Sequence, residues 1–326
     1  MYILGLDTSC DDTSVGIIQV NNENLDFSSN IILANVKYSQ LTSCVKYGGV
    51  VPEIAARTHL DNLSKTLEEA LKTAKLSIED IDYFSVTIGP GLIGSLIVGS
   101  NFIQSIAKIK NKPCILVHHL EGHIASCQEK PPFFSLVISG GHSFLAFCDE
   151  NYNYEILCST LDDSLGEVFD KVGRVFELPF PSGPFIEKLA LESQNRINPI
   201  EIMKGKNGFS FSGLKTSCLN LVKTHKKEDI CFFLQESAVN HLVNKISKFL
   251  SPDSKLIVCG GVASNQYIRE NLKARWNCSF PPLDLCCDNG VMIALAAQIS
   301  IYNNRFIKNH EEFASMTLSA WNQLKI

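Results

Sequence analysis

The alternation of apolar and polar residues marks three short strands that each run into a turn of small polar residues. The three segments begin at residues 2, 133 and 255 and read YILGLDTSCDDTS, FFSLVISGGHS and KLIVCGGVASN. The first two are followed by a second apolar run, VGIIQV (15–20) and FLAFCD (144–149). Strand, tight turn and strand therefore occur twice, which predicts a duplicated α/β module.

Between these strands, apolar residues recur at helical spacing. The longest such segment, 52–75, opens with Pro52, a residue that suits the first position of a helix. Its apolar stripe consists of Ile54, Leu60, Leu63, Leu67 and Leu71. Residues 83–100 read as a strand, a Gly/Pro loop and a helix. Further helices are predicted within 236–250, 271–276 and 289–302.

The polar, proline-bearing stretch CQEKPPFF (127–134) separates two apolar regions and predicts a domain boundary. We expect an N-terminal lobe of residues 1–128, completed by a C-terminal helix at about 303–326, and a C-terminal lobe of residues 129–302. With 326 residues, of which 45% are hydrophobic, the chain is long enough for two such lobes.

Charge and cysteine usage narrow the class of protein. The net charge is -5 and the pI is about 5.9, so binding to RNA requires a local basic patch or a basic partner. The twelve cysteines form no CxxC pair and lie mostly in apolar runs, as buried thiols of a reducing compartment do. The first apolar run is too short for a signal peptide, and no run is long enough to span a membrane. We expect a soluble cytoplasmic protein.

Glycine-rich loops follow the strands at SGGH (139–142), CGGVASN (259–265) and GPGLIGS (89–95). A single Gly-Gly pair is usually a plain turn, but several such loops after strands favour a phosphate site, because glycine lets backbone N–H groups approach a ligand. Asp7, Asp11 and Asp12 crowd the first turn, and their repulsion calls for a cation or a substrate nearby.

The segment 159–184 carries three acids at helical spacing. They are Asp163, Glu167 and Asp170. Because an apolar stripe of valines and phenylalanine adjoins them, we expect these acids to border a cleft rather than a fully solvated face.

The stretch HHLEGH (118–123) places His119 and His123 four residues apart, on one face of a helix. Such a pair suggests a metal site but also occurs by chance, and a third ligand must come from elsewhere in the chain. In the zinc-protease pattern H-E-x-x-H a glutamate follows the first histidine directly. Here Leu120 follows His119, and Glu121 points away from the histidines, which disfavours a metallopeptidase.

With these residues, the chain resembles the tRNA N6-adenosine threonylcarbamoyltransferase family of the TsaD type, whose members were formerly labelled glycoprotease-like. The resemblance runs nearly end to end. It rests on LGLDTSCDDTS (4–14), GGVVPEIAAR (48–57), GPGLIGSLIVG (89–99), HHLEGH (118–123), SGGHS (139–143), DDSLGEVFDKVGR (162–174), FSFSGLKT (209–216), CGGVASN (259–265) and CCDNGVMIA (286–294). It implies the actin-like ATPase (sugar kinase/Hsp70/actin) fold, with two ribonuclease H-like lobes around a cleft.

The resemblance also implies site residues. The metal ligands would be His119, His123 and Asp288, holding one divalent ion, iron or zinc. Asp11 matches an aspartate proposed to act near the reacting centre. The nucleotide part of the substrate would contact Val137, Ile138, Ser139, Gly140, Gly141, Asp170, Gly183 and Asn265. The chain departs from the family pattern at His118, where asparagine is usual, at Ser182, which replaces a glycine, and at Asp7, where glutamate is common.

The implied reaction moves the threonylcarbamoyl group of threonylcarbamoyl-AMP to N6 of adenosine 37 in tRNAs that read codons beginning with A. The implied partners are tRNA and TsaB-like and TsaE-like proteins, and ATP or ADP is a further candidate for the nucleotide site. The alternatives are an ATP-dependent kinase or ATPase of the same fold, a metallopeptidase, and a catalytically silent scaffold, which would have lost the metal ligands.

Overall fold

The computed structural model describes residues 1–20, 25–40, 50–200 and 208–304, which form two compact units. The first unit comprises residues 1–129 together with the chain from Asp288 onward, and the second comprises residues 130–287. The boundary near residue 129 lies one residue from the predicted one. The prediction that the C-terminal lobe extends to residue 302 is wrong, because the chain returns to the first unit at Asp288. The C-terminal helix predicted at about 303–326 lies outside the described residues from residue 305 onward.

A five-stranded sheet in the order β3-β2-β1-β4-β5 forms the centre of the first unit. The first three strands are an antiparallel meander, and β4 and β5 extend the sheet in parallel with β1. The strands are β1 (Tyr2–Asp7), β2 (Asp12–Gln19), β3 (Ile31–Ser39), β4 (Tyr83–Gly89) and β5 (Cys114–His118).

The helices of the first unit cover this sheet. They are α1 (Pro52–Ala74), α2 (Ile93–Ile109), α3 (His119–Ala125) and α9 (Gly290–Tyr302). Leu63 and Leu67 of α1 are buried as predicted, but Leu60 is 64% exposed. The buried face of α1 is centred on small and polar residues such as Ala55, His59 and Thr66, which an apolar stripe does not reveal.

The second unit repeats the topology of the first. Its sheet has the order β10-β9-β6-β7-β8, in which β6, β7 and β8 form the antiparallel meander and β9 and β10 run parallel to β6. The predicted duplication of the α/β module is thereby confirmed. The strands are β6 (Phe133–Ile138), β7 (Ser143–Cys148), β8 (Tyr154–Ser159), β9 (Lys255–Cys259) and β10 (Asn277–Ser279). The helices are α4 (Leu165–Val175), α5 (Gly183–Ala190), α6 (Ser212–Leu221), α7 (Lys227–Ile246) and α8 (Gln266–Lys273).

Helix α9 lies in direct backbone contact with the hairpin of β1 and β2. Gly5 and Gly16 face each other across the two strands, and Gly290 begins the helix above them. A Cβ atom on Gly16 would lie 2.2 Å from the backbone nitrogen of Val291, and one on Gly290 would lie 2.1 Å from the nitrogen of Gly16. The hydroxyl of Ser14 accepts a hydrogen bond of 2.8 Å from the Gly290 N–H. Glycine is therefore required at this contact.

Among the described residues, no helix combines the length and apolar character needed to cross a lipid bilayer.

We predict that Gly16→Ala destabilises the protein by about 1–3 kcal/mol, because an added methyl group forces the helix and the hairpin apart. The measurement is the thermal unfolding temperature. Gly213→Ala is the matched control, because a Cβ there meets no atom within 4 Å and alanine favours the helix. Equal unfolding temperatures for Gly16→Ala and the unaltered protein would contradict the close contact.

Candidate functional site

Strand β5 leads directly into helix α3, so His119 and His123 stand on one turn of a helix at the end of the sheet. The same helix packs against α9 at Gly122, where a Cβ would lie 3.0 Å from Cδ1 of Ile293. Asp288 comes two residues before the start of α9. The contact between the two helices therefore brings the carboxylate of Asp288 to the histidines.

The three predicted metal ligands form one cluster. Their candidate ligand atoms all lie within 4.8 Å of one another. The oxygen Oδ1 of Asp288 is 3.2 Å from Nε2 of His123 and 3.5 Å from Nε2 of His119. The histidines are buried, whereas 28% of the Asp288 side chain is exposed, so the cluster is open to a ligand on one side.

The charges of the cluster favour a cation. Burial lowers the pKa of His119, but Asp288 and Asp7 raise it more, to about 9. Partial burial raises the pKa of Asp288, but His119 and His123 outweigh it and hold that pKa well below its usual range. Among the described residues, Nδ1 of His119 and both ring nitrogens of His123 lack a well-aligned hydrogen bond, although Asp7 lies 3.4 Å from the first and Asp288 lies 3.2 Å from Nε2 of His123. Buried imidazole nitrogens without well-aligned hydrogen bonds, beside a carboxylate, are a donor set that fits a divalent metal ion.

Asp7 lies next to His119 of the cluster, a contact that the sequence did not reveal. Its carboxylate lies 3.4 Å from Nδ1 of His119 and accepts hydrogen bonds from Thr87 (2.5 Å) and Ser9 (3.0 Å). A carboxylate behind a ligating histidine orients the ring and raises its basicity. The sequence offered only the position of Asp7 at the end of a strand, which does not identify the residue it faces.

The other two acids of the first turn differ in their surroundings. Asp12 forms an ion pair of 3.0 Å with Lys37 on the neighbouring strand. Asp11 is partly buried, and burial, together with the charges of Asp12 and Asp288, raises the pKa of its carboxyl group. The predicted catalytic residue therefore accepts a proton more readily than an exposed aspartate does.

In the second unit, four of the predicted nucleotide contacts line one cavity. They are Gly140, Asp170, Gly183 and Asn265. Glu187 and Cys287 line it as well, and neither was predicted. The cavity lies where β6 and β9 end in glycine loops. At the second loop Gly260 has a φ of 93°, a conformation that side chains rarely adopt, and a Cβ there would lie 2.4 Å from the carbonyl oxygen of Ile138.

The remaining predicted contacts lie beside this cavity. Val137 and Ile138 are buried within β6, so that only their backbone is available to a ligand, and Ser139 is 9% exposed. Gly141 is exposed next to Gly140 and is not among the residues that line the cavity.

Of the three acids expected to border a cleft, Asp170 lines the cavity. It accepts a hydrogen bond of 2.7 Å from the backbone N–H of Ser182, and burial raises the pKa of its carboxyl group. Asp163 and Glu167 form ion pairs of 2.9 Å and 2.8 Å with Lys171.

A groove of about 660 Å³ adjoins the cavity and shares Pro184 and Glu187 with it. Phe232 and Tyr267 form an edge-to-face aromatic pair in its wall, with ring centroids 5.7 Å apart. Gln235 also lines the groove, and its side-chain oxygen accepts a hydrogen bond of 2.6 Å from the amide of Asn265. The groove therefore combines flat apolar walls with polar groups, as sites for small planar molecules do.

The chain is similar to known proteins of one family. The profile of the TsaD family, described as tRNA N6-adenosine threonylcarbamoyltransferase, matches residues 31–295. A protein of that name from Thermus thermophilus is 43% identical over 306 residues, which cover 91% of this chain and 92% of the relative. Its namesake from Bacillus cereus is 39% identical over 319 residues, which cover 91% of each chain.

Solved structures show the fold. Component A of the Acidaminococcus fermentans (R)-2-hydroxyglutaryl-CoA dehydratase matches with a TM-score of 0.59 and 17% identity, covering 94% of this chain and 99% of that one. HypF of T. kodakarensis matches with a TM-score of 0.62 and 12% identity, covering 92% of this chain and 47% of that one. These neighbours have the actin-like ATPase fold, which confirms the predicted fold class. Because the family profile matches residues 31–295 and the relatives from Thermus thermophilus and Bacillus cereus match 91% of the chain, the chain belongs to the family of tRNA N6-adenosine threonylcarbamoyltransferases, which are acyltransferases.

Proposed function

We propose that this chain transfers the threonylcarbamoyl group of threonylcarbamoyl-AMP to N6 of adenosine 37 in tRNAs that read codons beginning with A. The observation that carries the proposal is the cluster of His119, His123 and Asp288 in a chain of this family. A kinase of the same fold has no use for that cluster.

His119, His123 and Asp288 would hold one divalent ion, iron or zinc, and two imidazoles with one carboxylate leave coordination positions for a substrate. Such an ion supplies a Lewis acid that polarises a carbonyl oxygen of the donor. Asp7 orients the ring of His119 from behind, and the buried position of His123 keeps water from that side of the cluster.

The cavity and groove of the second unit would receive the AMP part of the donor. The glycine loops at Gly140 and Gly261 offer backbone N–H groups to a phosphate. Asp170 and Glu187 offer carboxylate oxygens that accept hydrogen bonds from ribose hydroxyls. The cavity itself, about 140 Å³, is small for a nucleotide, so the base would extend into the adjoining groove beside Tyr267.

The acyl donor explains why no covalent nucleophile is needed. The N6 amine of adenine is a weak nucleophile because its lone pair is delocalised, but a carbamoyl–phosphate anhydride is strongly activated. Burial raises the pKa of the Cys114, Cys218 and Cys231 thiols to about 12, which disfavours a thiolate. Positioning of donor and acceptor then lowers the barrier, and Asp11, with its raised pKa, would take the amine proton.

Binding of tRNA would depend on partners, because the chain is acidic. We propose TsaB-like and TsaE-like proteins as these partners, one of which docks on α1, the helix predicted at 52–75. Leu60 on α1 and Ile93 on α2 are 64% and 62% exposed, an apolar surface that suits a protein partner. We propose Lys204, Lys206 and Lys215 as candidate tRNA contacts. Lys215 lies 3.7 Å from Asp163, and the other two lie outside the described residues. We propose a cytoplasmic location, which suits a tRNA substrate.

We predict that His119→Ala reduces the metal content and the rate of tRNA modification and leaves AMP binding within about twofold. Loss of a ligand should weaken metal affinity by more than about 100-fold, since even outer partners of ligands contribute about 10- to 100-fold. The measurements are metal analysis after anaerobic purification, transfer to tRNA with added donor adenylate and partners, and calorimetric titration with AMP.

His225→Ala is the control for this substitution, because His225 is exposed and distant in sequence from the cluster. Undiminished transfer by His119→Ala would contradict the proposal. Steady ATP turnover with a phosphoryl acceptor, insensitive to His119→Ala, would favour a kinase instead.

We predict that Asp170→Asn weakens adenosine binding at neutral pH by about 10-fold or more, since a hydrogen bond to a charged group is worth about 1.5–3 kcal/mol. Because burial raises the Asp170 pKa, the carboxylate is protonated at a higher pH than an exposed aspartate is. Adenosine affinity should therefore fall as the pH is lowered from 7 towards 4.5, and the Asp170→Asn variant should lack this fall. Asp163→Asn serves as control, and a flat pH profile for the unaltered protein would refute the assignment.

A further inference from the structure

The turn between β1 and β2 carries Asp11 and is held at its start by helix α2. The hydroxyl of Thr8 donates a hydrogen bond of 2.9 Å to the carbonyl of Ser95, and the N–H of Leu92 donates one of 2.8 Å to the carbonyl of Ser9. These bonds fix the two residues that follow β1. The hydroxyl of Ser95 also donates a longer hydrogen bond of 3.4 Å to the carbonyl of Cys10. The rest of the turn, on both sides of Asp11, depends on other contacts.

His59 on α1 contacts the chain on both sides of Asp11. Its Nε2 lies 3.1 Å from the carbonyl oxygen of Cys10, and its Nδ1 lies 2.7 Å from the hydroxyl of Thr13. The imidazole is fully buried and both of its nitrogens are engaged. A carbonyl oxygen can only accept, so Nε2 donates to Cys10, and Nδ1 accepts from Thr13.

The bond to Cys10 acts directly on Asp11. The carbonyl of Cys10 belongs to the peptide group that joins Cys10 to Asp11, so its orientation sets the direction in which the Asp11 backbone leaves the turn. Burial lowers the pKa of His59, which keeps the ring neutral at neutral pH and able to make both bonds. Asp11 and Asp12 repel each other, and a turn that holds adjacent carboxylates requires such external support.

We propose that His59 is a positioning residue for Asp11, bridging the peptide before it and the hydroxyl of Thr13 after it so that the carboxylate keeps one orientation. The inference rests on the proposed transfer reaction. It assigns a role in that reaction to His59 on α1, whose two hydrogen bonds go to Cys10 and Thr13 rather than to a proposed metal ligand.

Three substitutions test this role in the full chain with its partners. His59→Phe keeps a planar ring of similar size but removes both hydrogen bonds. His59→Gln keeps one donor and one acceptor. Thr66→Val is the matched control, because Thr66 is also fully buried on α1 and, within the described part of the chain, its hydroxyl bonds only to the carbonyl of Asn62 on its own helix.

The measurements are kcat and KM for tRNA, metal content, and hydrogen exchange of the amides of residues 8–13 in metal-free protein. We expect His59→Phe to lower kcat at least about 10-fold, as misplaced catalytic groups do, with KM and metal content within about twofold. The exchange of the Asp11 and Asp12 amides should become faster. His59→Gln should recover kcat to within about threefold of the unaltered protein.

Two results would overturn the inference. One is an unchanged kcat and an unchanged amide exchange for His59→Phe. The other is a loss of kcat in Thr66→Val as large as in His59→Phe, which would show that the effect is general destabilisation. If the unaltered chain with its partners transferred nothing to tRNA, the proposed function would fail, but the exchange measurement would still judge whether His59 holds the turn.

Discussion

The contact on which the first unit depends is the one between the backbone of helix α9 and the hairpin of β1 and β2. It exists because Gly5, Gly16 and Gly290 carry no side chain at the point where the helix meets the strands. The helix begins there, and Asp288 precedes it by two residues. Close packing of backbone against backbone leaves little freedom for sliding, so the contact fixes the carboxylate relative to His119 and His123.

The same end of the sheet concentrates charges that an ordinary core would exclude. Four carboxylates lie close enough to interact electrostatically with one another or with His119: Asp7, Asp11, Asp12 and Asp288. Asp12 is paired with the ammonium group of Lys37. Carboxylates held together in this way cost stability unless hydrogen bonds or a cation offset their repulsion. Thr87 and Ser9 supply part of that offset at Asp7, and a bound divalent ion would supply more. The arrangement is therefore typical of a site that sacrifices some stability for ligand binding.

The sequence patterns predicted the parts of the fold that depend on contacts between residues close together in the chain. The strands, the turns that follow them and the helical spacing of His119 and His123 all follow from short-range geometry and are present in the structure. The return of the chain to the first unit at Asp288 was mispredicted, because it depends on a glycine contact between residues more than 270 positions apart. Similarly, the apolar stripe that included Leu60 predicted helix α1 correctly but not the centre of its buried face. His59 lies on the buried face, where it bonds to the turn between β1 and β2. The position of Asp288 came from resemblance to a family, and no local pattern contained it.

The two units share one topology, but the turn after the first strand carries different residues in each. In each unit the first strand of the meander ends in a turn that leads to the second strand: Thr8–Asp11 in the first unit and Ser139–His142 in the second. The first turn is lined by carboxylates, which attract a cation, whereas the second contains Gly140 and Gly141, which expose backbone N–H groups suited to an anion. Equivalent backbone positions thus present opposite charges to a ligand. Since the fold neighbours share the topology at 12–17% identity, the proposed function depends on residues at the ends of strands and helices rather than on the sheets themselves.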